Sequence, residues 1–268
     1  MKHSRRLLLS WIIAMGLVGF GVLANWYLVF VVAAQPTSPV VVNPYQTLYE
    51  DLLYPSVRIT TADGIGSGVI IGVNEFISSR AHESTNELMN SSTNELFILT
   101  AAHVVGDEAL VSVELFNSTE SLPAFVVATD TGKDLALLRL KPNTQNTGCQ
   151  IRLKPNTQNT GCQTLVWVAK LAPRSYVPYI FTPVWVIGCS LGLPTRPSEG
   201  IISAISNDAW EISAPILPGN SGGGVFDGRT HELIGIAVWV RVYQGQLITT
   251  MAGIVPINQI YEFLDSRR

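Results

Sequence analysis

The sequence predicts an all-β globular body, because it is divided into many short apolar segments rich in valine and isoleucine. Glycine, proline, asparagine and serine separate these segments, and the chain of 268 residues contains 22 glycines and 15 prolines. Hydrophobic residues make up 47% of the chain and charged residues only 14%, which suits a large buried core. A chain of this length forms one large domain or two small ones.

In the first half, the apolar segments predict strands at 56–60, 65–73, 96–100, 111–116, 124–128 and 135–140. In the second half, they predict strands at 164–169, 184–187, 200–206, 210–213, 224–226, 233–242 and 248–255. The apolar residues at 257, 260, 261 and 264 then follow helical spacing after a proline. They predict a short closing helix that packs on the β body.

Residues 7–34 contain no charged residue and follow a basic stub at residues 1–6. As a helix with a rise of ~1.5 Å per residue, this segment exceeds the ~30 Å hydrocarbon core of a bilayer. The basic stub predicts a cytoplasmic N-terminus, an uncleaved transmembrane signal anchor and a globular domain outside the cytoplasm, periplasmic or extracellular. A cleaved signal peptide is the alternative, because Val-Ala-Ala at 32–34 is suitable for cleavage.

The remaining chain predicts a linker and two halves. Residues 35–51 are rich in proline, threonine and valine and predict an extended linker. The globular part then divides into residues 52–163 and residues 164–268. The first half ends in a run of 12 residues at 139–150 that is repeated letter for letter at 152–163. Two copies are too few for a solenoid, and their composition predicts an elongated connector.

Charge and cysteine content exclude several function classes. The net charge is −3, and without the three basic residues of the N-terminal stub 14 basic residues face 20 acidic ones. This acidic balance argues against a nucleic-acid partner. The four histidines and three cysteines lack metal-ligand spacing, so we expect no metal and no cofactor. At most one internal disulfide can form among Cys149, Cys162 and Cys189, and the sequence leaves the pairing open.

A turn rich in glycine holds one serine. Residues 218–224 read Pro-Gly-Asn-Ser-Gly-Gly-Gly, with Ser221 at the centre. The glycines leave the serine hydroxyl open to approach, and they allow backbone N–H groups to converge as in an oxyanion hole. By itself, such a run is equally typical of a tight hairpin turn.

Two residues upstream strengthen the catalytic interpretation of this serine. His103 follows Thr-Ala-Ala, and Asp134 precedes Leu-Ala-Leu-Leu, each beside the end of a predicted strand. A serine hydroxyl needs a base to take its proton, and a histidine oriented by a carboxylate is suited to that task. Each residue alone has an ordinary structural explanation. Together, in this order and in an all-β chain, His103, Asp134 and Ser221 predict a catalytic triad.

These motifs resemble those of chymotrypsin-fold serine proteases, and of the HtrA/Deg group in particular. Three further segments carry the same resemblance: Gly-Ser-Gly-Val-Ile-Ile at 66–71, Glu-Gly-Ile-Ile-Ser-Ala at 199–204 and Ala-Gly-Ile-Val-Pro-Ile at 252–257. The resemblance covers about residues 52–265. It implies two six-stranded antiparallel β-barrels, with the active site in the cleft between them and a short C-terminal helix.

The resemblance also implies residue roles. His103 is then the general base, Asp134 orients it, and Ser221 is the nucleophile that forms an acyl-enzyme. The backbone N–H groups of Gly219 and Ser221 are the oxyanion donors.

The primary specificity pocket is assigned by the same resemblance to Pro215 and Ile216. An apolar lining without a carboxylate predicts cleavage after a small or medium aliphatic residue. Cleavage after arginine or lysine leaves a cation unpaired in an apolar pocket, which costs several kcal/mol.

The sequence departs from the family pattern at three points. Gly224 stands where the HtrA group has proline. Asn220 stands where trypsin-like zymogens have an aspartate, so we expect no activation by an ion pair with a newly cut N-terminus. The chain ends four residues after Leu264, and we expect no PDZ domain.

The sequence therefore predicts a membrane-anchored serine endopeptidase that acts on proteins or peptides. One alternative is a protease-like domain that binds unfolded segments or peptides without efficient cleavage. A second is an α/β-hydrolase esterase, since Gly-x-Ser-x-Gly at 219–223 matches a nucleophile elbow, but no βα units surround it. Natural substrate, oligomeric state and the order of the oxyanion turn stay open.

Overall fold

The computed structural model describes residues 43–72, 96–118, 120–140, 150–153, 163–206 and 209–266. The predicted anchor at residues 7–34 lies outside these ranges, as do Cys149 and Cys162. Across the described ranges, no helix combines the length and the apolar character that crossing a membrane requires.

The compact body spans Tyr45–Arg268 and opens with a short helical segment. Helix α1 covers Gln46–Leu48 and continues into a π-helical turn at Tyr49–Leu53. The sequence placed residues 46–51 in the linker. Here they are helical because Leu52 is buried in the core, where its carbonyl accepts a hydrogen bond from the Ser56 hydroxyl at 2.7 Å.

The first six strands form a closed antiparallel barrel with the order β1-β2-β3-β6-β5-β4. The strands are β1 Ser56–Thr60, β2 Ile65–Ile71, β3 Leu96–Thr100, β4 Leu110–Leu115, β5 Ser121–Asp130 and β6 Leu135–Leu140. A one-turn helix, α2, covers Ala102–Val105 directly after β3. Closure gives every strand two neighbours and leaves no exposed sheet edge.

Two short strands follow in and after the repeated connector. β7 at Gln150–Leu153 pairs in parallel with β8 at Gln163–Val166. The sequence predicted a connector here and not a strand, because proline, asparagine, threonine and glycine are frequent in the repeated run. The predicted strand at 164–169 ends earlier than expected, at Val166.

The last six strands form a second closed antiparallel barrel with the order β10-β11-β14-β13-β12-β9. The strands are β9 Pro183–Gly188, β10 Arg196–Ile205, β11 Trp210–Ile212, β12 Gly224–Asp227, β13 Leu233–Tyr243 and β14 Gln246–Pro256. Helix α3 closes the chain at Ile257–Asp265 and buries Ile257, Ile260, Phe263 and Leu264. The predicted fold of two six-stranded antiparallel barrels with a C-terminal helix is therefore confirmed.

The two barrels share a hydrophobic core along one face of the first barrel. In β3, Leu96 and Ile98 point into the first barrel, whereas Phe97 and Leu99 belong to a cluster that also contains Val186 and other residues of the second barrel. The same alternation holds in β2 and β6, because successive strand residues face opposite sides. Shared burial places the end of β3 against the second barrel.

Candidate active site

His103 and Asp134 are joined by two hydrogen bonds. His103 lies in α2, just beyond the end of β3, and Asp134 directly precedes β6, which pairs with β3. The His103 backbone N–H donates to Asp134 Oδ1 at 2.9 Å, and His103 Nδ1 lies 2.7 Å from Asp134 Oδ2. Asp134 adopts a left-handed backbone with φ +54°, an unusual conformation that this two-point contact accompanies. The structure therefore brings this predicted pair together.

The pair shifts the pKa values of both groups. The hydrogen bond to Asp134 raises the pKa of His103 above 6.5, which outweighs the opposite effect of burial. Burial by itself raises the pKa of Asp134, but the hydrogen bonds from the His103 side chain and backbone hold that pKa below 3.8. Asp134 is thus an ionised acceptor at neutral pH. The neutral His103 ring carries its proton on Nδ1, which leaves Nε2 as a proton acceptor.

The turn that holds Ser221 leaves two N–H groups without partners. Asn220 N–H donates to the Leu217 carbonyl at 3.0 Å, Gly222 N–H to Ala237 at 2.7 Å and Gly223 N–H to Asn220 at 2.9 Å. Within the described residues, the N–H groups of Gly219 and Ser221 make no hydrogen bond. The two predicted oxyanion donors are therefore the two N–H groups of residues 219–223 that remain free to bind an incoming oxygen.

The Ser221 turn packs tightly against the end of β3. Gly222 has φ +81°, and a Cβ at this position would lie closer than 3.0 Å to Thr100 Oγ1 and to the Ser67 carbonyl. The Ser67 N–H also donates to the Ser221 carbonyl at 2.8 Å. The Ser221 hydroxyl makes no hydrogen bond with any described residue. The structure thus connects Ser221 to the segment before His103 through backbone packing.

The predicted pocket residues lie between β11 and β12. Ile216 is buried, and its N–H donates to the Thr249 carbonyl of β14 at 2.8 Å. Pro215 is exposed, and its carbonyl accepts from the Ser198 hydroxyl of β10 at 3.1 Å. The segment is therefore fixed by the second barrel at both residues.

A family model of the trypsin-like peptidase domain matches residues 66–236, which is more than half of the chain. The chain belongs to the trypsin-like peptidase family. The chain is 29% identical over 207 residues to an HtrA-like serine protease of Staphylococcus epidermidis, covering 69% of this chain and 31% of that relative. It is 23% identical over 206 residues to an HtrA-like serine protease of Staphylococcus aureus, covering 70% and 24%.

The chain therefore spans less than a third of the length of these curated relatives. Among solved structures, its fold is similar to that of a serine endoprotease from Yersinia pestis, with a TM-score of 0.58 and 20% identity. That match covers 85% of this chain and 67% of the other. The likeness supports the two-barrel fold.

Sequence reasoning missed one buried residue that contacts the serine turn. Ser67 in β2 is 1% exposed; its hydroxyl donates to the Gly219 carbonyl at 2.6 Å and accepts from Cys189 N–H at 2.8 Å. Its carbonyl accepts from the Thr100 hydroxyl at 2.7 Å. The signal in the sequence was a serine inside an otherwise apolar strand, since a buried hydroxyl requires hydrogen-bond partners.

Cys189 is buried and forms no disulfide within the described residues. Its thiol lies 3.3 Å from the Thr195 hydroxyl. Its backbone N–H donates to the Ser67 hydroxyl at 2.8 Å.

Proposed function

We propose that the chain is a serine endopeptidase that cleaves peptide bonds through His103, Asp134 and Ser221. The observation that carries this proposal is the free pair of N–H groups at Gly219 and Ser221, directly beside a serine in a glycine turn. A turn that only binds peptides has no need to keep these two donors unpaired. The chain would thus have the hydrolytic activity for which the trypsin-like peptidase family is named.

The proposed mechanism follows from the site. Ser221 Oγ attacks the scissile carbonyl while His103 Nε2 takes its proton, and ionised Asp134 stabilises the imidazolium that forms. The N–H groups of Gly219 and Ser221 donate to the oxyanion of the tetrahedral intermediate. His103 then gives its proton to the leaving amine, and an acyl-enzyme remains on Ser221. Water activated by His103 releases the acyl group by the reverse sequence of proton transfers.

The activity is tested by Ser221→Ala. The variant should lose cleavage of casein and of fluorogenic peptides by about 10⁴–10⁶-fold, together with labelling by a fluorophosphonate probe. If the wild type binds peptides but is neither labelled nor active, the alternative of a binding domain without efficient cleavage is correct.

We propose that substrates are cleaved after small or medium aliphatic residues. The apolar segment at Pro215 and Ile216 supports this preference, because it offers no carboxylate to a basic side chain. Digestion of a peptide library, with the cut sites read by mass spectrometry, measures the preference. A dominant cut after arginine or lysine contradicts it.

We further propose that residues 7–34 anchor the chain in a membrane and that residues 43–268 act outside the cytoplasm. The uncharged run and the basic residues before it support this topology. The full chain should remain in the membrane pellet after alkaline carbonate extraction, and added protease should degrade its C-terminal tag in spheroplasts. Release into the supernatant supports the cleaved signal peptide instead.

A further inference from the structure

The turn after β9 contacts the serine turn directly. Residues 189–192, here called the clamp turn, contain a single 3₁₀ turn at Ser190–Gly192. The Ser190 hydroxyl donates to Asn220 Oδ1 at 2.7 Å, and the Leu191 N–H donates to the Pro218 carbonyl at 2.6 Å. The clamp turn therefore holds the residues immediately before and after Gly219.

These hydrogen bonds fix the direction of the Gly219 N–H. In a trans peptide the carbonyl and the N–H point in opposite directions. Because the Pro218 carbonyl is bound by Leu191, the Gly219 N–H of the same peptide points away from the clamp turn. The next carbonyl, that of Gly219, is bound by the Ser67 hydroxyl at 2.6 Å. A flip of either peptide would break one of these bonds.

The Ser221 N–H is oriented by the same principle. It belongs to the peptide whose carbonyl, on Asn220, accepts from the Gly223 N–H at 2.9 Å. Asn220 itself is 2% exposed, and Gly188 packs so closely that a Cβ there would lie 2.9 Å from Asn220 Oδ1. The amide of Asn220 is thus a buried acceptor whose bond to Ser190 anchors the centre of the serine turn.

The clamp turn adopts an unfavourable backbone to make these contacts. Leu191 has φ +56°, a left-handed conformation that is rare for leucine, and the residue is 63% exposed. Little burial compensates for the strain. The strained backbone does allow the Leu191 N–H to reach the Pro218 carbonyl, and strain retained in this way is typical of functional sites.

We propose that Ser190 is a positioning residue, whose hydroxyl holds Asn220 so that the N–H groups of Gly219 and Ser221 face the reaction centre. The inference rests on the proposed protease function. In this chain the Ser190–Asn220 hydrogen bond, between neutral groups, does the ordering that an ion pair with the newly cut N-terminus does when a zymogen is activated. The serine turn is then ordered by contacts within the chain, without proteolytic activation.

The kinetic test compares Ser190→Ala with Ser190→Thr. Loss of one oxyanion donor lowers kcat about 10²–10³-fold. A turn that is less well ordered misorients the donors only part of the time, so Ser190→Ala should lower kcat about 10–100-fold. KM should change less than about threefold, because substrate binding in the cleft is unaltered. The affinity of a peptide aldehyde, whose adduct occupies the oxyanion site, should fall in parallel with kcat. Ser190→Thr keeps the hydroxyl and should restore kcat to within about threefold of the wild type.

Ser266→Ala is the matched control. It removes another hydroxyl that donates to an acceptor of the same chain, here from the exposed Ser266 to the Phe263 carbonyl at 2.8 Å, directly after α3. Its kcat should equal that of the wild type. An unchanged kcat in Ser190→Ala, or an equal loss in Ser266→Ala, overturns the inference.

A second measurement does not depend on activity. In the Ser221→Ala background, hydrogen exchange of the peptide covering residues 217–223 should become at least about tenfold faster when Ser190→Ala is added, because the clamp is lost. Unchanged exchange overturns the inference even if the chain is a protease. If exchange becomes faster but the wild type neither cleaves substrates nor takes the fluorophosphonate label, the proposed function is refuted. The positioning of Asn220 by Ser190 is then still supported.

Discussion

Gly222→Ala tests whether the contact between the serine turn and β3 sets the position of the nucleophile. The new Cβ has two costs. A left-handed backbone costs an alanine about 1 kcal/mol, and overlap with Thr100 and Ser67 at less than 3.0 Å costs about 1–3 kcal/mol more. We therefore expect the free energy of unfolding to fall by about 2–4 kcal/mol.

Gly245→Ala is the matched control for the backbone cost. Gly245 has φ +76°, nearly that of Gly222, but a Cβ there meets no atom within 4 Å. This variant should lose only about 1 kcal/mol, so the difference of roughly 2 kcal/mol isolates the overlap. Urea unfolding followed by tryptophan fluorescence measures both values.

The same two variants separate stability from catalysis. In Gly222→Ala, the turn must move away from the end of β3, so the rate of fluorophosphonate labelling at Ser221 should fall at least about tenfold. Gly245→Ala should be labelled at the wild-type rate. Equal destabilisation by the two substitutions, or normal labelling of Gly222→Ala, refutes the reasoning that close packing on β3 positions Ser221.

Other outcomes follow from the charged groups. His103 accepts a proton only when it is neutral, and its pKa is raised above 6.5. The value of kcat/KM should therefore fall as the pH drops through that raised pKa. Cleavage of a fluorogenic peptide, assayed from about pH 5 to 9, measures this fall. Asp134→Asn should lower kcat about 10⁴-fold and move this acid limb to lower pH, and an unmoved limb contradicts the assignment. Arg229→Ala removes the cation whose Nη2 lies 2.7 Å from the buried Asp227 carboxylate. It should cost about 2–3 kcal/mol in urea unfolding with kcat unchanged, whereas a loss below ~0.5 kcal/mol shows that the pair is dispensable.

Much of the fold was predictable because strand residues alternate and turns use characteristic residues. β3 and β6 were placed at their observed limits, since each is a short, mainly apolar run that begins directly after an acidic residue, Glu95 or Asp134. β10 begins at Arg196, earlier than the predicted 200, because pairing with β9 extends it through the polar stretch Arg-Pro-Ser-Glu. Such pairing between strands does not appear in the periodicity of one segment.

The candidate site was predictable only in part. His103, Asp134 and Ser221 each lie in a short sequence motif that can be recognised from a few neighbouring residues. Ser67 does not, because its hydroxyl meets a carbonyl 152 positions away. Ser190 is likewise not recognisable from its neighbours in sequence, because its partner Asn220 lies 30 positions away. Contacts of this kind arise from tertiary packing, and short-range patterns do not encode them.

The hydrophobic cluster that β2, β3 and β6 share with the second barrel determines whether either barrel can fold on its own. Neither barrel can exist alone without presenting an apolar sheet face to water, so the halves behave as one cooperative folding unit. We therefore expect fragments separated within the repeated connector to be insoluble when expressed singly and to reconstitute when co-expressed. Recovery of soluble protein from the two fragments would then report on the packing of one barrel against the other.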